Sequence, residues 1–273
     1  MDVKKKEIKL IAIDVDNTLV NSRKEITSKV KDTILAARAK SIKVVICTGR
    51  ALSGVTRYLQ ELEIDNQNNE YVIGFNGAVV QSTDQKLIYE KYLAYEDYLI
   101  LEDISRKKQL HFQAVDANRI YTANRDIGHY SIYNSRIVNM EISYRTREEM
   151  AKIPIYKCMF LDKPELLDEF EADPLYKKTK QVSDITRTEP MYLEGVAKGT
   201  NKGTGLATLC EYLNITSENV MAIGDERNDI SMINYAGIGV AMGNAVEEVK
   251  READMVTTDC EHNGVAKAIL TVL

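Results

Sequence analysis

Leu10-Ile11-Ala12-Ile13-Asp14-Val15-Asp16-Asn17-Thr18 decides the fold. A near-continuous apolar run over residues 8–13 stops abruptly at two carboxylates. Such a run, followed by turn-forming residues, reads as a strand buried on both faces of a parallel sheet. Side chains alternate along a strand, which predicts that Asp14 and Asp16 leave on the same side. The carboxyl ends of strands are where open α/β sheets hold ligands. Two acids there repel unless a cation, a proton or a basic side chain lies between them. Taken alone, Asp-x-Asp also reads as two solvated loop acids, so the rest of the chain has to decide.

The same step from apolar run to polar end recurs. Residues 43–47 end in Thr48-Gly49-Arg50, and residues 71–75 in Asn76-Gly77-Ala78. Residues 220–223 end in Gly224-Asp225-Glu226-Arg227-Asn228-Asp229. Helical patterns at 27–40, 51–62 and 202–213 alternate with these strands, with Thr27 as an N-cap. Strand–helix alternation implies a parallel sheet with crossover helices. Asn76-Gly77 predicts a tight turn that reverses the chain over 78–81. Residues 83–189 break the pattern with short, tyrosine-rich, charged segments. These predict a helix over 97–108, paired strands at 112–115 and 119–122, a strand at 156–161, and a proline-opened helix at 164–171. The expected organisation is α/β: a core from 1–82 and 190–273, interrupted by an α+β insert at 83–189.

Composition excludes several functions. A net charge of −5 gives no general attraction to nucleic acid or to an anionic membrane. No apolar stretch reaches the roughly 20 residues of a membrane helix. Lys4-Lys5-Lys6 precedes only a short apolar run that meets Asp14, which argues against a signal peptide. Cys47, Cys158, Cys210 and Cys260 form no Cys-x-x-Cys pair, and His111, His129 and His262 lack ligand spacing. Reduced thiols in a cytoplasmic protein without cysteine-bound zinc are expected.

Carboxyl ends of parallel strands converge, so Asp14, Asp16, Thr48, Asn76, Asp225, Asn228 and Asp229 gather at one sheet edge. Several carboxylates with one hydroxyl and amides make a hard-oxygen site suited to Mg²⁺. Rival motifs fail on spacing. The Asp14 loop lacks the glycine and distal glutamate of a calcium loop, and Gly199-Thr200-Asn201-Lys202-Gly203-Thr204 lacks P-loop spacing. Gly237-x-Gly239-x-x-x-Gly243 misses the dinucleotide fingerprint, and no Gly-x-Ser-x-Gly elbow exists. Lys202 alone reads as a solvated helix-start lysine. A cation at a helix N-terminus is electrostatically unfavourable, so its position hints at an anionic partner.

Asp14-Val15-Asp16-Asn17-Thr18, Thr48-Gly49-Arg50, Lys202-Gly203 and Gly224-Asp225-Glu226-Arg227-Asn228-Asp229 resemble, in order, the four motifs of haloacid dehalogenase (HAD) superfamily phosphatases. The insert between the second and third motifs looks like the large C2-type cap of the Cof subgroup. Asn76-Gly77-Ala78, Tyr121-Thr122-Ala123-Asn124-Arg125-Asp126 and Asn263-Gly264-Val265-Ala266 look closest to the YidA-like sugar-phosphate phosphatases. The resemblance covers essentially the whole chain and implies a Rossmann-like HAD core. One position departs from it: Asn17 stands where the family usually has glycine. Asparagine tolerates left-handed backbone better than most residues, so the turn is expected to survive.

The resemblance implies Mg²⁺-dependent hydrolysis of small phosphorylated metabolites. Asp14 would be the nucleophile that forms an aspartyl-phosphate. Asp16 would be acid and then base. Asp14, Asp225 and the Asp16 backbone carbonyl would ligate Mg²⁺. Lys202 would neutralise charge on the transferring oxygens, and Thr48 would hydrogen-bond the phosphoryl group. Asn228 and Asp229 would position phosphate, lysine or metal-bound water, with Gly49, Arg50 and Asn76 beside the substrate. Phosphoryl transfer to a sugar hydroxyl, or binding of a phosphosugar without turnover, stays open. A monomer or homodimer fits equally.

Overall fold

A computed structural model describes residues 7–273, and Lys4-Lys5-Lys6 lies outside the described residues. In chain order the strands are β1 (Leu10–Ile13), β2 (Lys43–Cys47), β3 (Tyr71–Gly74), β4 (Val79–Ser82), β5 (Leu87–Glu90), β6 (His111–Val115) and β7 (Ile120–Thr122). Then come β8 (Ile142–Tyr144), β9 (Lys157–Leu161), β10 (Ser183–Glu189), β11 (Tyr192–Ala197), β12 (Val220–Gly224), β13 (Ile238–Ala241) and β14 (Met255–Val256). They form two sheets in two compact units.

The first unit takes the chain up to Gly49, Val55–Tyr89 and Asn201–Leu273. Its sheet has the order β14-β13-β12-β1-β2-β3-β4-β5. Pairing is parallel from β14 through β3. β4 runs antiparallel to β3, so the chain reverses after Asn76-Gly77 as the turn chemistry predicts. The core sheet is therefore mixed. All four residues of β1 are buried, because parallel strands carry side chains into helices on both faces. Leu10, Ala12, Val45, Ile73, Val220 and Ala222 pack with Leu206 and Leu209 of the helix Lys202–Leu213. β1 lies between β2 and β12, so strand order leaves it in both directions. That is a topological switch point, where the crossover helices diverge and open a crevice at the strand ends.

The second unit, Arg50–Gly54 with Glu90–Thr200, is inserted in the first. Its sheet order is β10-β11-β9-β6-β7-β8, antiparallel except for the β7–β8 pair. Tyr98, Leu101, Phe112, Phe160, Leu167 and Phe170 form its core. The helices Tyr95–Lys108 and Pro164–Ala172 contribute to that core. β11 pairs with β9 and β10, so the second sheet continues past residue 190, where the sequence reading resumes the core. An apolar run such as Tyr192-Leu193 carries no mark of which sheet it joins. Among the described residues no helix is long and apolar enough to cross a membrane.

Candidate active site

The polar ends of β1, β12 and β3, and the start of the helix Lys202–Leu213, meet within the first unit. β1 stops at Ile13, and Asp14 donates its backbone N–H to the Ile223 carbonyl at 3.0 Å. The next residues form one wide helical turn, Val15–Leu19, closed by Leu19 N–H on the Asp14 carbonyl at 3.1 Å. Asn17 sits in that turn at φ 58°, ψ 10°, the left-handed conformation anticipated for it. Strand alternation thus ends before Asp16, and the two carboxylates find different partners. Asp14 accepts from the Lys202 ammonium at 2.6 Å, whereas Asp16, about a third exposed, accepts from Lys24 at 2.9 Å.

Lys202 is almost wholly buried, 1% exposed. Its ammonium lies 2.6 Å from Asp14 Oδ1 and 2.6 Å from Asp229 Oδ1. Asn201 caps the helix by accepting from Thr204 N–H at 2.9 Å. Gly77 (φ +95°) lies against the Asn201 carbonyl, where any Cβ would fall 2.0 Å from the oxygen. The Asn76-Gly77 turn can therefore press on the helix start only with glycine there. The second oxygen of Asp229 accepts the N–H groups of Asp225 (2.9 Å) and Glu226 (3.0 Å). Asp229 is thus engaged through both oxygens, and it fixes the ammonium against the end of β12. Thr18 donates its hydroxyl to Asp225 Oδ1 at 2.7 Å, tying the two acidic loops together.

Thr48 is buried at the end of β2 and donates its N–H to Ile73 O at 2.8 Å, while its carbonyl accepts from Asn76 N–H at 3.0 Å. Asn228 donates its amide to Asn76 Oδ1 at 3.0 Å. Thr48, Asn76 and Asn228 are therefore linked in one chain of contacts, with Gly49 next in sequence. Arg50 groups with the second unit, and its guanidinium donates to the Gly54 carbonyl at 3.3 Å. Thr18, Lys24 and Asn201 contribute here without a role in the sequence reading. Thr18 stands inside the first motif, but its chemistry depends on a partner 207 positions away.

Electrostatics set this cluster apart. Asp14, Asp225 and Asp229 each place a carboxylate oxygen within 4.8 Å of the others'. Burial raises the Asp14 carboxyl to about 7 against the opposing pull of Lys202, with Asp229 and Asp16 adding repulsion. Burial raises Asp225 to about 9, reinforced by Asp14 and then Asp229. Burial alone would depress Lys202, but Asp14 and then Asp229 hold it above the ordinary lysine value. Three ionised carboxylates against one ammonium would leave two negative charges, the charge one divalent cation neutralises. Buried hard-oxygen donors with that deficit fit a divalent metal site. By contrast, burial pushes the Cys158 thiol to about 12, and Cys47 is raised by the same cause, so neither is a ready nucleophile.

Residues 11–269 match the haloacid dehalogenase-like hydrolase family. YxeH of Bacillus subtilis strain 168 is 39% identical over 263 residues, 96% of this chain and 97% of that protein. The 5-amino-6-(5-phospho-D-ribitylamino)uracil phosphatase YcsE of the same organism is 33% identical, over 96% of this chain and 95% of its own. The solved structure of the HAD subclass IIB sugar phosphatase BT4131 superposes with a TM-score of 0.83 at 26% identity, covering 97% of this chain and 100% of that one.

Proposed function

The chain belongs to the haloacid dehalogenase-like hydrolases and is a phosphoric monoester hydrolase, and from that premise we propose that it acts on phosphorylated polyhydroxy metabolites, sugar phosphates foremost, through an aspartyl-phosphate. The observation that carries the chemistry is the buried ammonium of Lys202 between Asp14 and Asp229, with Asp225 beside them. Two relatives support the substrate class. YcsE acts on a phosphorylated ribityl chain and BT4131 on a sugar phosphate. Asn76-Gly77-Ala78 and Asn263-Gly264-Val265-Ala266 give the YidA-like reading of the same preference.

In this reading Asp14 attacks phosphorus with the oxygen that Lys202 does not hold. A carboxylate approaching a phosphate dianion meets repulsion; one unit pair at 4 Å costs roughly 4 kcal/mol at an effective dielectric of 20. Lys202 offsets part of that from a position needing no rearrangement. Asp16 gives its proton to the leaving oxygen, then takes one from the water that cleaves the aspartyl-phosphate. Thr48 and Asn228 hold phosphoryl oxygens, Asn76 orients Asn228, and Asp229 orients Lys202; Gly49 and Arg50 are the remaining substrate-side candidates. Asp14, Asp225 and the Asp16 carbonyl are the expected ligands of Mg²⁺. When bound, Mg²⁺ supplies charge neutralisation at the transferring phosphoryl group.

Turnover of a panel of phosphorylated metabolites with Mg²⁺ present, ranked by kcat/KM, tests the substrate class. A sugar or polyol phosphate is expected at the top; a preference for phosphorylated aromatic cofactors would overturn that. Hydrolysis in ¹⁸O-water separates phosphatase from transferase. Label in released phosphate is expected, and unlabelled phosphate on a sugar acceptor would assign phosphoryl transfer instead.

A further inference from the structure

We propose that Asn244 is a positioning residue that holds the Asp225 carboxylate and the Asn17 turn in the geometry that binds the divalent cation. The inference rests on the proposed function, in which Asp14 and Asp225 hold that ion. Asn244 follows β13, on a loop outside the four motifs. Its amide nitrogen lies 2.9 Å from the Asn17 carbonyl and 3.4 Å from Asp225 Oδ2. Its amide oxygen accepts the Cys260 N–H at 3.0 Å. A backbone carbonyl demands a donor and a backbone N–H demands an acceptor, so the amide orientation is fixed by its partners. One side chain therefore joins the turn after β1, the acid after β12 and the segment after β14.

The loop carrying Asn244 is itself clamped to the end of β12. Met242 N–H donates to Gly224 O at 3.0 Å, and Val246 N–H donates to Asp225 O at 3.1 Å. On its other side Gly243 N–H donates to Thr258 O at 3.2 Å, and a Cβ on Gly243 would fall 2.7 Å from Asp259 N. The amide is thus delivered from a rigid support rather than from a mobile side chain. Asp225 Oδ1 is held by Thr18 and Oδ2 by Asn244, so both oxygens have a donor that sets the plane of the carboxylate. Outer contacts of this kind orient the ligands of a metal site, and removing one costs ~10–100-fold in metal affinity or activity. Asn244 is solvent-exposed and its Asp225 contact is long, which places the expectation at the low end, about 10-fold.

The test is calorimetric titration of the metal-free protein with Mg²⁺, and with Mn²⁺ as a second probe, in parallel with steady-state turnover. Asn244→Ala, and Asn244→Leu with similar bulk but no donor, are expected to raise Kd about 10-fold. At saturating metal both should keep the parental KM and recover kcat to within a few-fold. A parental Kd in Asn244→Leu would overturn the inference, because bulk alone would then suffice. A kcat deficit that saturating metal does not relieve would also overturn it. Asp225→Asn in the same titration tests the underlying metal assignment. If Asp225→Asn binds metal as the parent does, that assignment fails. If Asp225→Asn loses metal while Asn244→Ala and Asn244→Leu do not weaken it, only the role of Asn244 fails.

Discussion

Each unit of this chain buries a lysine against carboxylates, and the two burials differ. Lys157 of β9 lies 2.8 Å from Glu194 of the neighbouring β11, across two paired strands. Lys202 lies 2.6 Å from Asp14 and 2.6 Å from Asp229, with the Asp225 carboxylate also within the cluster. The Lys157–Glu194 contact ties two strands of one sheet together. The Lys202 cluster carries an excess of acid, and its energetics improve when a cation enters. Burial of charge is common to both; the cluster at Lys202, with three carboxylates around one ammonium, has a reason to bind a cation. The sharpest way to break this contrast is at the acids. Asp14→Asn keeps the shape of the side chain and its acceptor oxygen but removes the nucleophile. Hydrolysis of p-nitrophenyl phosphate should fall more than about 10³-fold. Glu194→Gln, the same change in the strand-to-strand contact, should alter that turnover less than about tenfold. Comparable losses from both would erase the distinction.

The lysines themselves give the next largest effect. Removing one partner of a buried pair costs about 3–5 kcal/mol, because the other charge is left uncompensated. Lys202→Met and Lys157→Met should both lose stability of that order in denaturant titrations of metal-free protein. Their responses to Mg²⁺ should diverge. Without Lys202 the cluster has still more excess acid, so millimolar Mg²⁺ should restore part of the lost stability. Lys157→Met should gain no more from Mg²⁺ than the parent protein does.

Acidity offers a smaller and reversible probe. The Asp14 and Asp225 carboxyls titrate near 7 and 9 in the fold, against 3.8 ordinarily. Raised carboxyl values mean that the folded protein keeps protons which the unfolded chain has released. In metal-free protein, stability from these groups is therefore full below about 4. It falls as pH rises through 7 for Asp14 and on toward 9 for Asp225. Metal binding must displace those protons, so affinity for Mg²⁺ should increase with pH over the same window. Calorimetry at pH 6.5 in buffers of different ionisation enthalpy should show proton release on binding.

The same contrast separates the parts of the molecule that were legible in the sequence from those that were not. The central core strands were legible because they end in a polar step, as at Asp14, Thr48 and Asp225, and their alternation with helices implied a parallel sheet. The second sheet was harder. β10 reads Ser-Asp-Ile-Thr-Arg-Thr-Glu, a polar edge strand with little apolar content to mark it. The helix His129–Val138 leaves Ile132, Tyr133 and Ile137 exposed, so its apolar residues trace no buried stripe. In the site, roles tied to motif residues were readable, since Lys202 and Asp229 meet where the motifs converge. Contacts made by a loop outside every motif, such as that of Asn244, were not. Nor were the different partners of Asp14 and Asp16, because the strand stops at Ile13 and Asp16 falls in the turn Val15–Leu19.

Asn17 gives the smallest effect, and it asks whether the cluster at Lys202 depends on the left-handed turn that follows β1. Its backbone is left-handed, which costs an L-residue roughly 1–2 kcal/mol, less for asparagine and nothing for glycine. The carbonyl that this turn presents is what Asn244 holds. Asn17→Gly should therefore keep the turn and change stability by less than about 1 kcal/mol, with kcat/KM and metal affinity within a few-fold of the parent. Asn17→Ala should cost up to about 1 kcal/mol, the part of the left-handed strain that asparagine escapes. Because strain there loosens the loop that carries Asp14, it should also raise the Mg²⁺ concentration needed for half-maximal activity. A large gain in turnover from Asn17→Gly would mean instead that the asparagine side chain obstructs the site. The acid excess at Lys202 would then serve binding more than hydrolysis.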